Sequence, residues 1–94
     1  MVRRHCVRNF GNYRFDTRNS IFIWDRIDEE IDDIPTQGVD LYRGESGYFL
    51  YIYSNRSPEK IKPLTIEQAK EWVEDNAGEY AATIFFDHAE EKKI

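Results

Sequence analysis

The chain has 94 residues, of which 40% are hydrophobic and 15% aromatic, and its net charge is −5. This length suits one folded domain, and the share of large side chains excludes a disordered chain. A single cysteine excludes an internal disulfide, and no run approaches the ~20 apolar residues of a membrane span. The basic start lacks the apolar stretch of a secretory signal, so we expect a cytoplasmic protein. We expect one domain over residues 1–94, with a flexible basic segment over 1–10 and a frayed tail over 89–94.

The charge is unevenly distributed along the chain. Residues 1–18 sum to +4, residues 25–33 to −5, and residues 61–94 to −4. General nucleic-acid binding requires a basic surface, which this acidic chain does not offer. The basic N-terminal segment is expected either to dock an acidic partner or to pair with the acidic stretch of its own chain.

The first predicted elements are two short strands. The segment NYRFDT, residues 12–17, has the composition of a strand, and residues 16–20 are typical of a turn. The next segment, IFIWDRI at 21–27, is β-branched and aromatic, which favours a strand. We expect these two strands to pair in an antiparallel hairpin.

The acidic stretch that follows leaves two structures open. Trp24, Ile27, Ile31 and Ile34 recur at helical spacing, which favours a short amphipathic helix over residues 27–33 that ends before Pro35. The alternative is an acidic loop with the isoleucines tucked beneath it.

A second strand pair is predicted over VDLYRG at 39–44 and GYFLYIYS at 47–54, joined by a four-residue loop from Gly44 to Gly47. The segment KIKPLT, residues 60–65, then favours a short strand or extended piece ended by Pro63.

A helix over residues 65–78 has the clearest signals in the chain. Thr65 and Gln68 have the spacing of a capping box, and Gly78 is a typical helix stop. A second short helix is predicted after residue 78, although its β-branched and aromatic centre leaves a strand open. The side chains expected to face inward on it are Tyr80, Ala81, Ile84 and Phe85.

Together these elements predict an α+β fold, with a small antiparallel sheet of about four strands packed on one or two C-terminal helices. Strand 48–53 is apolar or aromatic at every position, so both of its faces carry side chains that favour burial. The set Tyr48, Leu50 and Ile52 is expected to pack under the helix. The other set is Phe49, Tyr51 and Tyr53. Either the 24–34 segment covers it, or it forms a surface for a partner or a second copy.

The sequence offers no pattern for a metal, a cofactor or catalysis. His5 and Cys6 are adjacent, His88 is remote, and the acidic stretch lacks the glycine and ligand alternation of a calcium loop. We interpret Cys6 as an incidental thiol, and Asp87 beside His88 as a solvated pair. No enzymatic activity is predicted.

Several short motifs together resemble a known family. They are Arg14-Phe15-Asp16-Thr17, Leu41-Tyr42-Arg43, Gly47-Tyr48-Phe49-Leu50, Ile61-Lys62-Pro63-Leu64-Thr65, Gln68-Ala69-Lys70-Glu71-Trp72 and Ile84-Phe85. Their order is similar to the pattern YDT…LYR…G-YFL…I-PL[ST]-EEA-EW…IF of small uncharacterised proteins from bacteria, phages and other mobile elements. Phe15, Gln68 and the acidic stretch depart from that pattern. The resemblance implies a small accessory protein, for which binding and blocking a host or defence protein is a common role. It implies no catalytic residues.

The leading hypothesis is a non-enzymatic protein-interaction module, an accessory or inhibitor protein with an acidic surface and an aromatic centre. The residues assigned to it are Phe49, Tyr51, Tyr53, Asp28, Glu29, Asp32 and Asp33. One alternative is nucleic-acid binding through the same aromatics and the basic set Arg3, Arg4, Arg8 and Arg14. Another is a homodimer formed through the aromatic face.

Overall fold

The computed structural model of the protein describes residues 4–87. The strands are β1 (Val7–Phe10), β2 (Tyr13–Asp16), β3 (Ile21–Ile31), β4 (Ile34–Gly44), β5 (Gly47–Tyr53) and β6 (Lys60–Leu64). The helices are α1 (Ile66–Ala77) and α2 (Glu79–Ala82), followed by a π-helical turn over Thr83–Asp87. The expected tail over 89–94 lies outside the described residues.

The strands form two antiparallel sheets, and the helices follow them. One sheet has the order β3-β4-β5-β6, and the other consists of β1 and β2. This confirms the predicted α+β class. The predicted hairpin of segments 12–17 and 21–27 is wrong, because β2 pairs with β1 and β3 pairs with β4.

The N-terminal segment is part of the fold. Residues 7–10 of the segment expected to be flexible form strand β1, which pairs with β2, whereas residues 1–3 lie outside the described part. Thr17 anchors the start of β1. Its hydroxyl accepts the Cys6 backbone N–H at 2.8 Å and donates to the Arg4 carbonyl at 2.9 Å. Sequence periodicity gives no signal for this pairing because β1 is only four residues long.

The acidic stretch is neither helix nor loop, so both predictions for 27–33 are wrong. It completes the eleven-residue strand β3, which turns into β4 through Asp32 and Asp33. Both aspartates have positive φ, 53° and 64°, as a two-residue type I′ turn requires. Aspartate tolerates this conformation better than most residues. The helical spacing of the isoleucines is therefore coincidental.

The hairpin of β4 and β5 confirms the two strands predicted there. Gly44 pairs directly with Gly47, so the connection is a two-residue turn of Glu45 and Ser46 instead of a four-residue loop. Gly47 has a φ of 120°, a conformation that side chains disfavour. The predicted strand β6 also forms, and it continues through Pro63 at the edge of the sheet.

The helices cover one face of the four-stranded sheet. The capping box of Thr65 and Gln68 is present and Gly78 ends α1, as predicted. The buried cluster on this face consists of Val39, Leu41, Tyr48, Leu50, Ala69, Val73, Ala82 and Phe86. Ile52 and Trp72 pack against it, which confirms the predicted inner set of β5.

The second helix presents a different face from the predicted one. Tyr80 is 80% exposed and Ile84 is half exposed, whereas Ala82 and Phe86 are buried. Ala81 and Phe85 pack against the cluster as expected. The helix is short and passes into a π-helical turn at Thr83, and the wider turn changes which side chains face the sheet.

The opposite face of the sheet is also covered. Phe49 and Tyr51 are at most 1% exposed and Tyr53 is buried, so the prediction of an aromatic surface on β5 is wrong. The cover is the β1–β2 hairpin and not the 24–34 segment. The ring of Phe15 lies 5.3 Å from that of Phe49, and the Arg4 guanidinium lies 5.1 Å from the centre of the Tyr53 ring.

Candidate interaction surface

The hairpin of β3 and β4 extends past the rest of the sheet. Strand β5 pairs with β4 only from Gly38 onward, so residues 28–37 form a two-stranded extension. We call this extension the hairpin arm. No residue of the arm is buried. The arm therefore presents both of its faces and its tip to the surroundings.

The arm concentrates the charge of the protein. Its ten residues carry five acidic side chains and no basic one, while the rest of the chain has thirteen of each sign. Asp28 pairs with Arg26 at 3.0 Å, and Glu29 approaches Arg56 at 3.7 Å. Within residues 4–87, no ion pair engages the three remaining arm carboxylates, which belong to Glu30, Asp32 and Asp33. The charge of the arm thus equals the net charge of the chain, because the charges elsewhere cancel in sum.

The tip of the arm also exposes apolar side chains. Ile31 and Ile34 are cross-strand partners on either side of the turn, and they are 54% and 63% exposed. Ile27, at the base of the arm, is 40% exposed. Exposed single residues are ordinary, but two paired isoleucines bordered by carboxylates combine an apolar centre with a charged rim.

The structure separates the two halves of the predicted site. Asp28, Glu29, Asp32 and Asp33 lie together on the arm, whereas the three β5 aromatics lie in the core. Sequence reasoning did not assign Ile31 and Ile34 to the site. The signal that could have found them is Ile-Asp-Asp-Ile, an aspartate pair suited to a tight turn between two β-branched residues.

The basic residues of the N-terminal hairpin do not converge. Arg3 lies outside the described residues, and Arg4 lies over the Tyr53 ring. Arg8 donates to the Glu59 carbonyl at 3.4 Å, and Arg14 approaches the Asp16 carboxylate at 3.5 Å. Arg8 pairs with Phe15 and Arg14 with Asn9, so the two arginines lie on opposite faces of their sheet.

A polar cleft of about 530 Å³ lies beside the turn that follows β2, lined in part by Asn12, Arg14, Asp16 and Glu45. The Asp16 carboxylate accepts hydrogen bonds from the Arg18 backbone N–H at 2.9 Å and from the Asn19 amide at 3.0 Å, and His5 Nε2 lies 2.9 Å from it. These contacts are internal to the N-terminal region. They fix the turn that leads into β3, and so we assign Asp16 a structural role.

Two buried side chains near Glu59, Tyr51 and Cys6, have raised pKa values. The Tyr51 hydroxyl donates to the Glu59 carboxylate at 2.6 Å, and burial together with this contact raises the pKa of Tyr51. Burial, with the nearby Glu59 charge, also raises the pKa of the Cys6 thiol. A protonated thiol is a poor nucleophile and metal ligand. Among residues 4–87, no group of three or more histidine, cysteine or acidic side chains is arranged to hold a metal ion.

No helix in the described part of the chain has the length and apolar character needed to cross a membrane. Comparisons with protein-family models, curated proteins and solved structures gave no match to this chain. The family resemblance inferred from the sequence motifs therefore stays a prediction.

Proposed function

We propose that the protein is a non-enzymatic interaction module whose hairpin arm binds a basic surface on a partner protein. The observation that carries this proposal is a ten-residue arm that has no buried residue, carries five acidic side chains and no basic one, and exposes two isoleucines.

The charge supports a basic partner through long-range attraction. Five carboxylates on one narrow extension create a negative potential that raises the rate of encounter with a positive surface. Exposed charges are screened over about 8 Å at physiological salt, so this attraction should weaken as salt is added. A protein that normally binds a polyanion such as nucleic acid presents a surface of this kind, and an accessory or inhibitor role would follow from occupying it.

The isoleucines supply the part of the binding that does not depend on salt. Binding energy in interfaces is concentrated in a few side chains that become fully desolvated, and a rim of polar groups surrounds them. Ile31 and Ile34 have this position relative to Asp32, Asp33 and Glu30.

The proposal is tested by capture from a bacterial lysate, with and without nuclease treatment, analysed by mass spectrometry. The immobilised wild-type protein is compared with the double variant Ile31→Ser/Ile34→Ser and with Ile84→Ser, a control whose side chain is also half exposed but lies outside the arm. We expect the recovered amount of a captured protein to be at least about fivefold lower with the double variant and unchanged with the control. Circular dichroism establishes that all three chains are folded.

Two results would contradict the proposal. An equal loss with both variants would show that the arm is not the binding surface. Capture that disappears when nuclease is added would favour nucleic-acid binding by the N-terminal arginines, and binding of the purified protein to a single-stranded oligonucleotide should then fall steeply with salt.

A further inference from the structure

The two edges of the four-stranded sheet are built differently. Strand β6 has five residues, with lysines at positions 60 and 62 and a proline at 63, features that protect an edge against added strands. Strand β3, the other edge, has eleven residues, no lysine and no proline. Within residues 4–87, no strand lies beside β3 on its outer side. Of the two edges of this sheet, β3 is therefore the longer one and lacks the lysines and the proline of β6.

The middle of β3 offers a regular stretch for pairing. Register shifts interrupt the ladder between Phe22 and Trp24 and between Ile27 and Glu29, but pairing is continuous over Trp24–Ile27. In this run, Trp24 and Ile27 are about 40% exposed, and the charged residues Asp25 and Arg26 lie between them. At a sheet edge, an extended peptide binds by main-chain hydrogen bonds, and its side chains supply specificity.

The charge of β3 favours one kind of occupant. Four acidic residues against Arg26 give the strand a net charge of −3. A second copy of this chain would bring two such strands and two acidic arms together, and like charges across a strand pair are destabilising. A segment with basic side chains would instead find carboxylates at residues 25, 28, 29 and 30, within and just beyond the regular run.

We propose that β3 binds an extended basic segment of the partner protein as an additional strand, paired along residues 24–27. This inference rests on the proposed function and names the element of the partner that the arm attracts. The acidic arm draws the segment in, and the backbone of β3 then holds it.

The test uses a nine-residue probe peptide of alternating lysine and valine, capped at both ends. A matched probe is N-methylated at every internal residue, which keeps its charges and side chains but removes the N–H donors that a ladder needs. Binding is followed by NMR titration of the isotope-labelled protein at about 20 mM and 150 mM salt, the range over which the screening length shortens. We expect the unmodified peptide to bind about tenfold more tightly, and to slow amide hydrogen exchange at residues 24–27.

Equal affinity for both peptides would overturn the inference, since charge alone would then account for binding. Protection of β6 amides, or no binding of either peptide, would also overturn it. Protection of β3 that appears without peptide and rises with protein concentration would assign the edge to a second copy. The variants of residues 31 and 34 leave residues 24–27 unchanged. A negative capture experiment therefore contradicts binding by the arm, and a negative titration contradicts strand addition to β3, each without deciding the other.

Discussion

The Asp16 carboxylate contacts four residues around the turn that follows β2, namely His5, Arg14, Arg18 and Asn19. It is buried, and burial alone would raise its pKa. The Arg18 N–H, His5 and Arg14 outweigh burial and lower the pKa below its ordinary value. A lowered pKa means that the charged form stabilises the fold. This contribution is complete above the unfolded pKa of about 3.9 and is lost as the pH falls from there through the folded pKa.

We therefore expect Asp16→Asn to lower the free energy of unfolding by about 1–3 kcal/mol at pH 7, because its amide cannot replace the charged acceptor. As the pH falls below about 4, the wild-type protein should lose more stability than this variant. Urea unfolding followed by tryptophan fluorescence measures both effects. Glu71→Gln, an exposed carboxyl on α1, is the control and should change stability little. Parallel pH profiles for wild type and Asp16→Asn would contradict the assigned role.

Residue types predicted part of this local structure. Asp16 and Thr17 are typical turn formers, and the Asp16 carboxylate does accept the Arg18 backbone N–H within the turn. The Thr17 hydroxyl instead accepts the N–H of the distant Cys6. The contact between Asp16 and His5 could not be predicted, because the two residues are eleven apart and meet only when β1 pairs with β2.

At the level of elements, the turn of the arm is strained in a way that substitution can relieve. Asp33 has a φ of 64°, at a turn position where glycine is preferred. We expect Asp33→Gly to raise the free energy of unfolding by up to about 1 kcal/mol, and Asp33→Val to lower it by about 1–2 kcal/mol. Urea unfolding compares these chains with Glu45→Gly, a change in the other hairpin turn.

The Glu45 control separates turn geometry from a general effect of glycine. Glu45 does not have a positive φ, so glycine there adds only flexibility to the unfolded chain and should cost about 0.5–1 kcal/mol. A loss of stability with Asp33→Gly similar to that with Glu45→Gly would show that the Asp33 conformation carries no strain.

Locally determined elements were predictable, and elements that depend on distant partners were not. Helix α1 was predicted with its cap and its stop because both signals lie within the helix. Strand β3 was only partly predicted, because the spacing of Trp24, Ile27 and Ile31 also fits a helix. Pairing with β4 decides between the two structures, and a tight turn at Asp32 and Asp33 makes that pairing possible.

For the whole molecule, the sequence indicated that strand β5 needs cover on both faces, but not where the cover comes from. The helix side was correctly assigned because α1 follows the sheet closely in the chain. The other side is covered by β1 and β2, and Phe15 meets Phe49 across 34 residues of sequence. The same docking determines the candidate site, because it buries the β5 aromatics and leaves the arm as the exposed part of the predicted surface.

Docking of the β1–β2 sheet can be tested with two phenylalanines that belong to it. Phe15 is 4% exposed against Phe49, whereas Phe10, whose ring lies 5.8 Å from that of Phe15, is 43% exposed. Replacing a buried phenylalanine by alanine costs about 3–5 kcal/mol, a large share of the stability of a domain this small. We therefore expect Phe15→Ala to lower the melting temperature sharply and to increase binding of a hydrophobic dye, as the β5 aromatics become accessible. Phe10→Ala should have a much smaller effect on both. Equal effects of the two changes would mean that the two-stranded sheet does not cover β5, and Phe49, Tyr51 and Tyr53 would return as candidates for a binding surface.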